Sequence, residues 1–426
     1  MIHPVPNLTT AQTGPLLAIE AHILQEVAAI EAWFRDAWMK TPAPLMSSVD
    51  LRHAGFKLAP VDTNLFPAGF NNLNPDFIPL CVQALQSCLD NHCQRILLLP
   101  ENHTRNQFYH QNLVVLRDML LNAGYQVRLG SLNADQTEPL TIQIGALDSL
   151  TIEPLQRMQG RIGLQDYDPD LIILNNDLSA GIPDILKNLE QQMEPIPQLG
   201  WASRCKSVHF RHYDEVVQEF APLIKLDPWL INPVFSVVSD LDFMAKTGID
   251  RLSTEVDVVL QKVKERYRLL GIDDKPYVVV KADNGTYGMG IMIVHDASEI
   301  LNLNRKQRTK MATIKGNQTV HQVMVQEGVY SLEKMTDGAV AEPVVYMIGQ
   351  YVVGGFYRVH RELGINDNLN SPGMHFEPLA FAQACNIPKA PSIDGHHRFY
   401  AYGVIARLAA LAAAREAASL RQGLIT

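Results

Sequence analysis

Cysteine is sparse and unpaired: Cys81, Cys88, Cys93, Cys205 and Cys385 make an odd set with no CxxC spacing in 426 residues. Neither a disulfide framework nor a zinc site is expected, and reduced thiols in a cytoplasm are the plain reading. Positive charge is also short. Lys and Arg number 36 against 45 Asp and Glu, a formal net charge of −9, which disfavours general nucleic-acid binding through a basic surface. No apolar run reaches the ~18 residues a membrane span requires. Residues 1–17 lack the cationic head and apolar stretch of a secretory signal. What is present is ordinary for a globular chain: 47% hydrophobic, 19% charged and 7% aromatic residues, a balance that excludes disordered, fibrous and collagen-like classes.

Along the chain, Ala18 to Met39 has helical apolar spacing. Ser47 to Leu73 is dense in Asn, Asp, Arg, Gly and Pro, which predicts a surface segment, because such polar groups are hard to satisfy in a core. An α/β alternation follows, with strands expected at Arg95 to Pro100, Tyr125 to Leu129 and Asp170 to Leu174, and helices at Asn106 to Ala123 and Pro183 to Gln192. Strands alternating with helices predict an open parallel sheet. Prolines between Pro222 and Pro233 suggest a junction, Leu241 to Leu270 reads as helical, and the Ala-rich stretch Tyr400 to Leu420 as a packing helix. The expected organisation is an α/β chain with a first domain at 1–235 and a second at 236–426.

The second domain carries the strongest motif. The β-branched run Tyr277 to Lys281 leads into ADNGTYGMG and then the apolar run Ile291 to Val294, a hairpin rather than a P-loop or a dinucleotide fingerprint. Glycines at Gly285, Gly288 and Gly290 let backbone N–H groups approach anionic oxygens, and Lys281 at the strand end can set an ammonium on a phosphate. Taken alone, the same residues also describe a bare hairpin. Gln322 to Val329 reads as a buried strand running into a hinge that could pair with a purine edge, and Val344 to Ile348 with Tyr351 to Phe356 as a hairpin followed by Arg358.

In this order, strand-Lys281, glycine loop, Gln326-Glu327, hairpin, Arg358 and an Asn-rich loop from Asn366 to Pro372, the chain resembles the ATP-grasp superfamily, including glutathione synthetase. The segments PVDTNLFPAGFNNL, VKADNGTYGMGI, GGFYRVH and NDNLNSPGMHF resemble the proteobacterial type of glutamate–cysteine ligase. The resemblance implies an ATP-grasp domain of two α+β subdomains with a nucleotide between them. Lys281, Asp283, Asn284, Gly285, Thr286, Tyr287, Gly288 and Gly290 would hold the phosphates; Gln326, Glu327 and Val329 would receive adenine and ribose. It also implies Mg2+, for which Glu342 is one candidate ligand and Asn368 with Asn370, or Asn366 with Asn368, the others; the acid of the family's Glu-x-Asn pair is missing here, and an Asn-rich turn is the alternative reading.

Arg358 could stabilise a transferring phosphoryl group. For an amino-acid substrate, Asp62 is a candidate acceptor for an ammonium and Arg52 a candidate fork for a carboxylate, with Asn64, Asn71 and Asn72 as neutral donors. A polar network that only organises an interface is the alternative. The basic cluster Arg204, Lys206, His209, Arg211 and His212 could face the phosphates or a substrate carboxylate, but a solvated surface is the preferred expectation. The implied reaction is ATP-dependent joining of the L-glutamate γ-carboxylate to the L-cysteine amine. Another ligase of the same scaffold, or a nucleotide-binding regulatory protein, is the alternative. Expected partners are small molecules, with homo-oligomerisation left open.

Overall fold

The computed structural model describes residues 10–12, 14–66, 68–102, 106–145, 148–284, 290–313, 319–378 and 398–425. Helices α1 (Ala18–Gln25) and α2 (Val27–Lys40) divide the expected first helix at Glu26. Strands β1 (Met46–His53) and β2 (Leu58–Asn64) follow as an antiparallel pair. The segment expected at the surface is therefore largely buried. Charged side chains of β1 pair across to neighbouring strands, Asp50 with Arg358 and Arg52 with Glu342.

Helix α3 (Ile78–Cys88), β3 (Arg95–Pro100), α4 (Gln107–Asn122) and β4 (Gln126–Ser131) begin the α/β region. It continues through β5 (Leu140–Ile144), β6 (Asp148–Pro154), the small hairpin β7 (Gln156–Met158) and β8 (Arg161–Gly163), then β9 (Leu171–Asn175) and β10 (Gln192–Glu194). The six-stranded sheet runs β10-β9-β3-β4-β6-β5 and is parallel except at β5. The helix expected over Pro183 to Gln192 is instead a 3-10 turn, Asp184–Leu186. Asn188 takes a positive φ of 53° there, which a helix cannot continue through.

Helix α5 (Lys206–Phe220) and β11 (Phe235–Val238) lead to α6 (Ile249–Leu270). That helix starts later than expected because the Asp242 carboxylate accepts the N–H groups of Met244 and Ala245, each at 2.8 Å, and closes a turn instead. Strands β12 (Val278–Ala282) and β13 (Ile291–Val294) form the expected hairpin; α7 (Ser298–Leu301), α8 (Arg305–Ala312) and β14 (Val323–Glu327) follow. The four-stranded sheet is ordered β11-β14-β12-β13, and α6 covers it with Leu252, Val256, Val259 and Val263.

The remaining strands are β15 (Val340–Ile348), β16 (Tyr351–His360) and β17 (His375–Pro378), before the closing helix α9 (Arg398–Ile425). Their five-stranded sheet is ordered β17-β16-β15-β1-β2. It joins the two ends of the chain, so a division at 235/236 cuts neither a sheet boundary nor a linker: residue 235 begins β11, and β1–β2 belong with β15. Beneath this sheet, residues 404–412 of α9 meet α5 and the apolar faces of β1, β15 and β16 in the largest core. A helix apolar on nearly all sides is a buried one, as the Ala-rich sequence predicts.

Candidate active site

Strand alternation separates two chemistries on the five-stranded sheet. Val49, Leu51, Ala341, Val345, Tyr357 and Val359 face α9 and the core; Asp50, Arg52, Glu342 and Arg358 face the other way and line a cavity. Register brings the four charges together, since Glu342 lies opposite Arg358 and Asp50 opposite Val344, two residues from Glu342. Arg358 Nη1 donates to Asp50 Oδ2 at 2.9 Å and contacts Glu342 Oε2 at 3.4 Å. Arg52 Nε donates to Glu342 Oε1 at 2.6 Å.

Burial pushes the Asp50 carboxyl up, with Arg358 opposing. Burial disfavours the Arg358 charge too, but Asp50 and Glu342 outweigh it and raise its pKa. Two guanidiniums against two carboxylates form a near-neutral array that a polyanion can enter without meeting a net repulsive wall.

The four-stranded sheet supplies the opposite wall, Val279, Lys281, Ile291, Ile293 and Gln326, around a space of about 130 Å³. Lys281 Nζ donates to the Val61 carbonyl and to Gln326 Oε1, both at 2.8 Å. Burial lowers its pKa to about 7, against the pull of Asp62. Gln326 Nε2 is buried with no partner among the described residues. Val329 lines the cavity, and its carbonyl accepts from Arg52 Nη1 at 3.1 Å.

Glu327 also lines the smaller cavity. One carboxylate oxygen turns into the fold: Oε2 accepts from Lys57 Nζ at 2.8 Å and from the Val234 N–H at 2.9 Å, while Oε1 is buried with no partner among the described residues. Asp283 likewise looks inward: Oδ1 accepts the Ser207 N–H at 2.7 Å and Oδ2 the Ser207 hydroxyl at 2.6 Å, which anchors the start of α5. Asn284 is half-buried after β12, and Gly290 begins the return to β13. Gly285, Thr286, Tyr287 and Gly288 lie outside the described residues.

A second, wider cavity of about 730 Å³ adjoins the first, sharing Asp50, Asp62, Lys206, Arg358 and Asn370. Asp62, Asn64, Asn71 and Asn72 line it together. Arg52 does not: it lines only the smaller cavity, and its guanidinium is occupied by Glu342, Tyr277, Val329 and the Asp367 carbonyl. A carboxylate fork at Arg52 is thus replaced by a structural clamp. Burial would raise Asp62, but Lys206, Lys281 and Arg204 hold it well below the carboxylate range.

Arg204, Lys206 and His209 also line the wider cavity, so three members of the cluster expected in solvent point inward. Arg204 is fixed by Glu416 of α9, with its Nη2 at 2.8 Å from Oε2. Glu342, Asn368 and Asn370 meet at the smaller cavity, as does Asn366; Asn368 Oδ1 accepts the Asn370 N–H at 3.1 Å.

Sequence reasoning missed Asp50 and Lys57, and it preferred a solvated surface for Lys206. For Asp50 a signal existed: it stands two residues before Arg52, on the same strand face.

The glutamate-cysteine ligase family model matches residues 20–417. This chain belongs to the glutamate-cysteine ligase family. Over 97% of its length and 99% of the other chain, with 53% sequence identity and a TM-score of 0.86, it is similar to a protein of Methylobacillus flagellatus KT that carries the provisional designation gamma-glutamylcysteine synthetase. Remote similarity reaches D-alanyl-alanine synthetase A of Vibrio cholerae, at 13% identity and TM-score 0.32 over 60% of this chain and 68% of that one. It also reaches a glutathione synthetase-like effector of Globodera pallida, at 10% identity and TM-score 0.38 over 83% of each chain. No curated protein matches the sequence.

In this glutamate-cysteine ligase family member the smaller cavity lies between the four-stranded and five-stranded sheets of a mixed α/β fold. Among the described residues, no helix is long and apolar enough to cross a membrane.

Proposed function

We propose that the adjoining cavities join the γ-carboxylate of L-glutamate to the amine of L-cysteine at the expense of ATP, giving γ-glutamylcysteine, ADP and phosphate. The observation that carries this reading is that Asp50, Arg358, Asp62 and Lys206 wall both cavities. A nucleotide in the smaller one and an amino acid in the wider one would meet at these groups. The adenine suits the apolar faces of Val279, Ile291 and Ile293, and the orphaned Gln326 amide offers it a donor.

A carboxylate is a poor electrophile because its leaving group would be oxide. A γ-carboxylate oxygen of glutamate therefore attacks the γ-phosphorus and the bond to ADP breaks. The cysteine nitrogen then adds to the acyl carbon, phosphate leaves, and the nitrogen loses its proton. Lys281 and Arg358 would bind the moving phosphoryl oxygens through fixed donors, a role worth about 10²–10³ in rate per donor.

The residues also fit Mg2+. Asp50, Glu342, Asn368 and Asn370 present oxygen donors, the preference of a hard cation, and carboxylate oxygens retain lone pairs beyond their guanidinium contacts. Phosphate oxygens of the nucleotide would complete the ion's shell. When bound, Mg2+ would neutralise charge on the phosphoryl group. The free thiols of Cys81, Cys88, Cys93 and Cys205 suit the cytoplasm in which we place the enzyme.

The test is ADP release with each substrate combination. Glutamate plus cysteine should release ADP well above either amino acid alone, with γ-glutamylcysteine accumulating. Turnover only with γ-glutamylcysteine plus glycine would reject the assignment in favour of a glutathione synthetase.

A further inference from the structure

One end of the wider cavity is left unused by the chemistry above. In the six-stranded sheet the chain proceeds from β3 to β4 and β6 on one side, then returns to lay β9 on the other flank of β3. The carboxyl ends of β3 and β9 therefore meet where strand order reverses, the place at which open α/β sheets bind ligands. Here that crevice is stapled by Tyr109 of α4, whose hydroxyl accepts the Glu101 N–H at 2.8 Å and donates to the Asn175 carbonyl at 3.0 Å. Glu101 and Asp177, just past the two strands, both line the cavity.

An independent feature of the same wall is Asn112, which is 1% exposed. Its Oδ1 accepts the N–H groups of Gly69 and Phe70, each at 2.9 Å. Two backbone donors fix the oxygen on that side of the amide. The Nδ2 donor therefore faces away from them, and it has no acceptor among the described residues. A buried donor in this state calls for an acceptor, and the cavity that Asn112 lines is where a ligand oxygen or an ordered water can supply one. Carboxylates for a cation and a donor for an anion are the complement of an α-amino-acid head group.

Which amino acid this head belongs to follows from the reaction. The cysteine nitrogen is the nucleophile, so it must lie at the acyl carbon and be uncharged when it attacks. The glutamate α-ammonium takes no part and stays charged throughout, remote from the reacting γ-carboxylate. A fixed acidic end, on the same cavity as Arg358 but on another domain wall, suits the second nitrogen and not the first.

We propose that Glu101, Asp177 and Asn112 form the subsite for the glutamate head group, the two carboxylates facing its ammonium and Asn112 Nδ2 donating to its α-carboxylate. The assignment rests on the ligase reading above. Two nearly isosteric variants keep the wall's shape: Glu101→Gln removes a charge, and Asn112→Asp keeps the acceptor for Gly69 and Phe70 while deleting the donor.

The expected results come from ADP release with cysteine and ATP saturating. Each variant raises KM for glutamate about tenfold to a hundredfold, with KM for cysteine and ATP within twofold. Glu101→Gln narrows the preference for glutamate over glutarate, which lacks only the ammonium. Asn112→Asp narrows the preference over 4-aminobutyrate, which lacks only the α-carboxylate. An unchanged glutamate KM in both variants of an active enzyme, or a rise confined to cysteine, overturns the subsite and leaves the ligase reading standing. A wild-type enzyme that releases no ADP with glutamate and cysteine brings down both. Should a variant fail to fold, calorimetric titration of the wild-type protein decides: glutamate binding at least tenfold tighter than both glutarate and 4-aminobutyrate supports the subsite, and equal binding overturns it.

Discussion

Lys281 stood out in the sequence as a lysine ending a β-branched strand before a glycine loop, although the same residues also describe a bare hairpin. Its protonation was not legible. Burial lowers its pKa to about 7, so above that pH the site without nucleotide is largely neutral, and a polyphosphate should restore the proton. Calorimetry of ATP binding in buffers of differing ionisation enthalpy should show proton uptake that grows from pH 7 to 8.5 and is absent in Lys281→Met.

Glu333 sits deeper. Burial pushes its pKa up to about 7 although the Tyr357 and Tyr402 hydroxyls favour the carboxylate. A raised folded-state pKa means that its contribution to stability is complete below the unfolded value near 4.5 and is lost as pH rises through about 7. Thermal melts of wild type should therefore lose more stability between pH 5 and 8 than melts of Glu333→Gln. Asp50, by contrast, escaped notice because its partners, Arg358 and Glu342, are about 300 residues away and only strand pairing brings them together.

Strands and helices with clean periodicity were read to within a few residues: β3, α4, β9 and the β15–β16 hairpin. The reading failed where side chains compete with the backbone, as at Asp242, and where polar residues pair across strands, as in β1 and β2.

Gly69, between β2 and α3, shows what such a segment demands. Its φ is +108°, and a Cβ there would stand 3.0 Å from the Tyr346 hydroxyl and 3.2 Å from Asn72 Nδ2. Gly69→Ala should cost about 1–3 kcal/mol in denaturant unfolding.

The turn between β1 and β2 also carries Lys57, which neutralises Glu327 at 2.8 Å, with both side chains almost wholly buried. Lys57→Met should destabilise by about 3–5 kcal/mol because it leaves a buried charge unpaired, and Lys57→Met with Glu327→Gln should recover most of the loss. Equal losses in the single and double variants would mean that the lysine acts through its packing over the Trp229 ring, 3.9 Å away.

At the scale of the molecule, the open parallel sheet and the paired α+β sheets were both foreseeable, and the way they are threaded was not. Nothing in β1 announces that its partner is β15. Periodicity shows which face of a strand is buried but not which strand lies beside it. A break at 235/236 leaves β1–β2 without β15 and leaves β15–β17 with one flank open. Fragments 1–235 and 236–426, expressed separately, should show no cooperative melting, whereas co-expressed they should associate and recover it. Two independent transitions from the isolated fragments would restore the boundary.

That same sheet also sets a schedule. During synthesis, β1 and β2 emerge nearly 290 residues before β15 can reach them. At about 5–20 residues per second the ribosome holds this half-finished hairpin waiting for roughly 15–60 s. Through that interval its apolar side lacks α9 and its charged side lacks Glu342 and Arg358. The active-site face is consequently one of the last surfaces of the newborn polypeptide to be assembled.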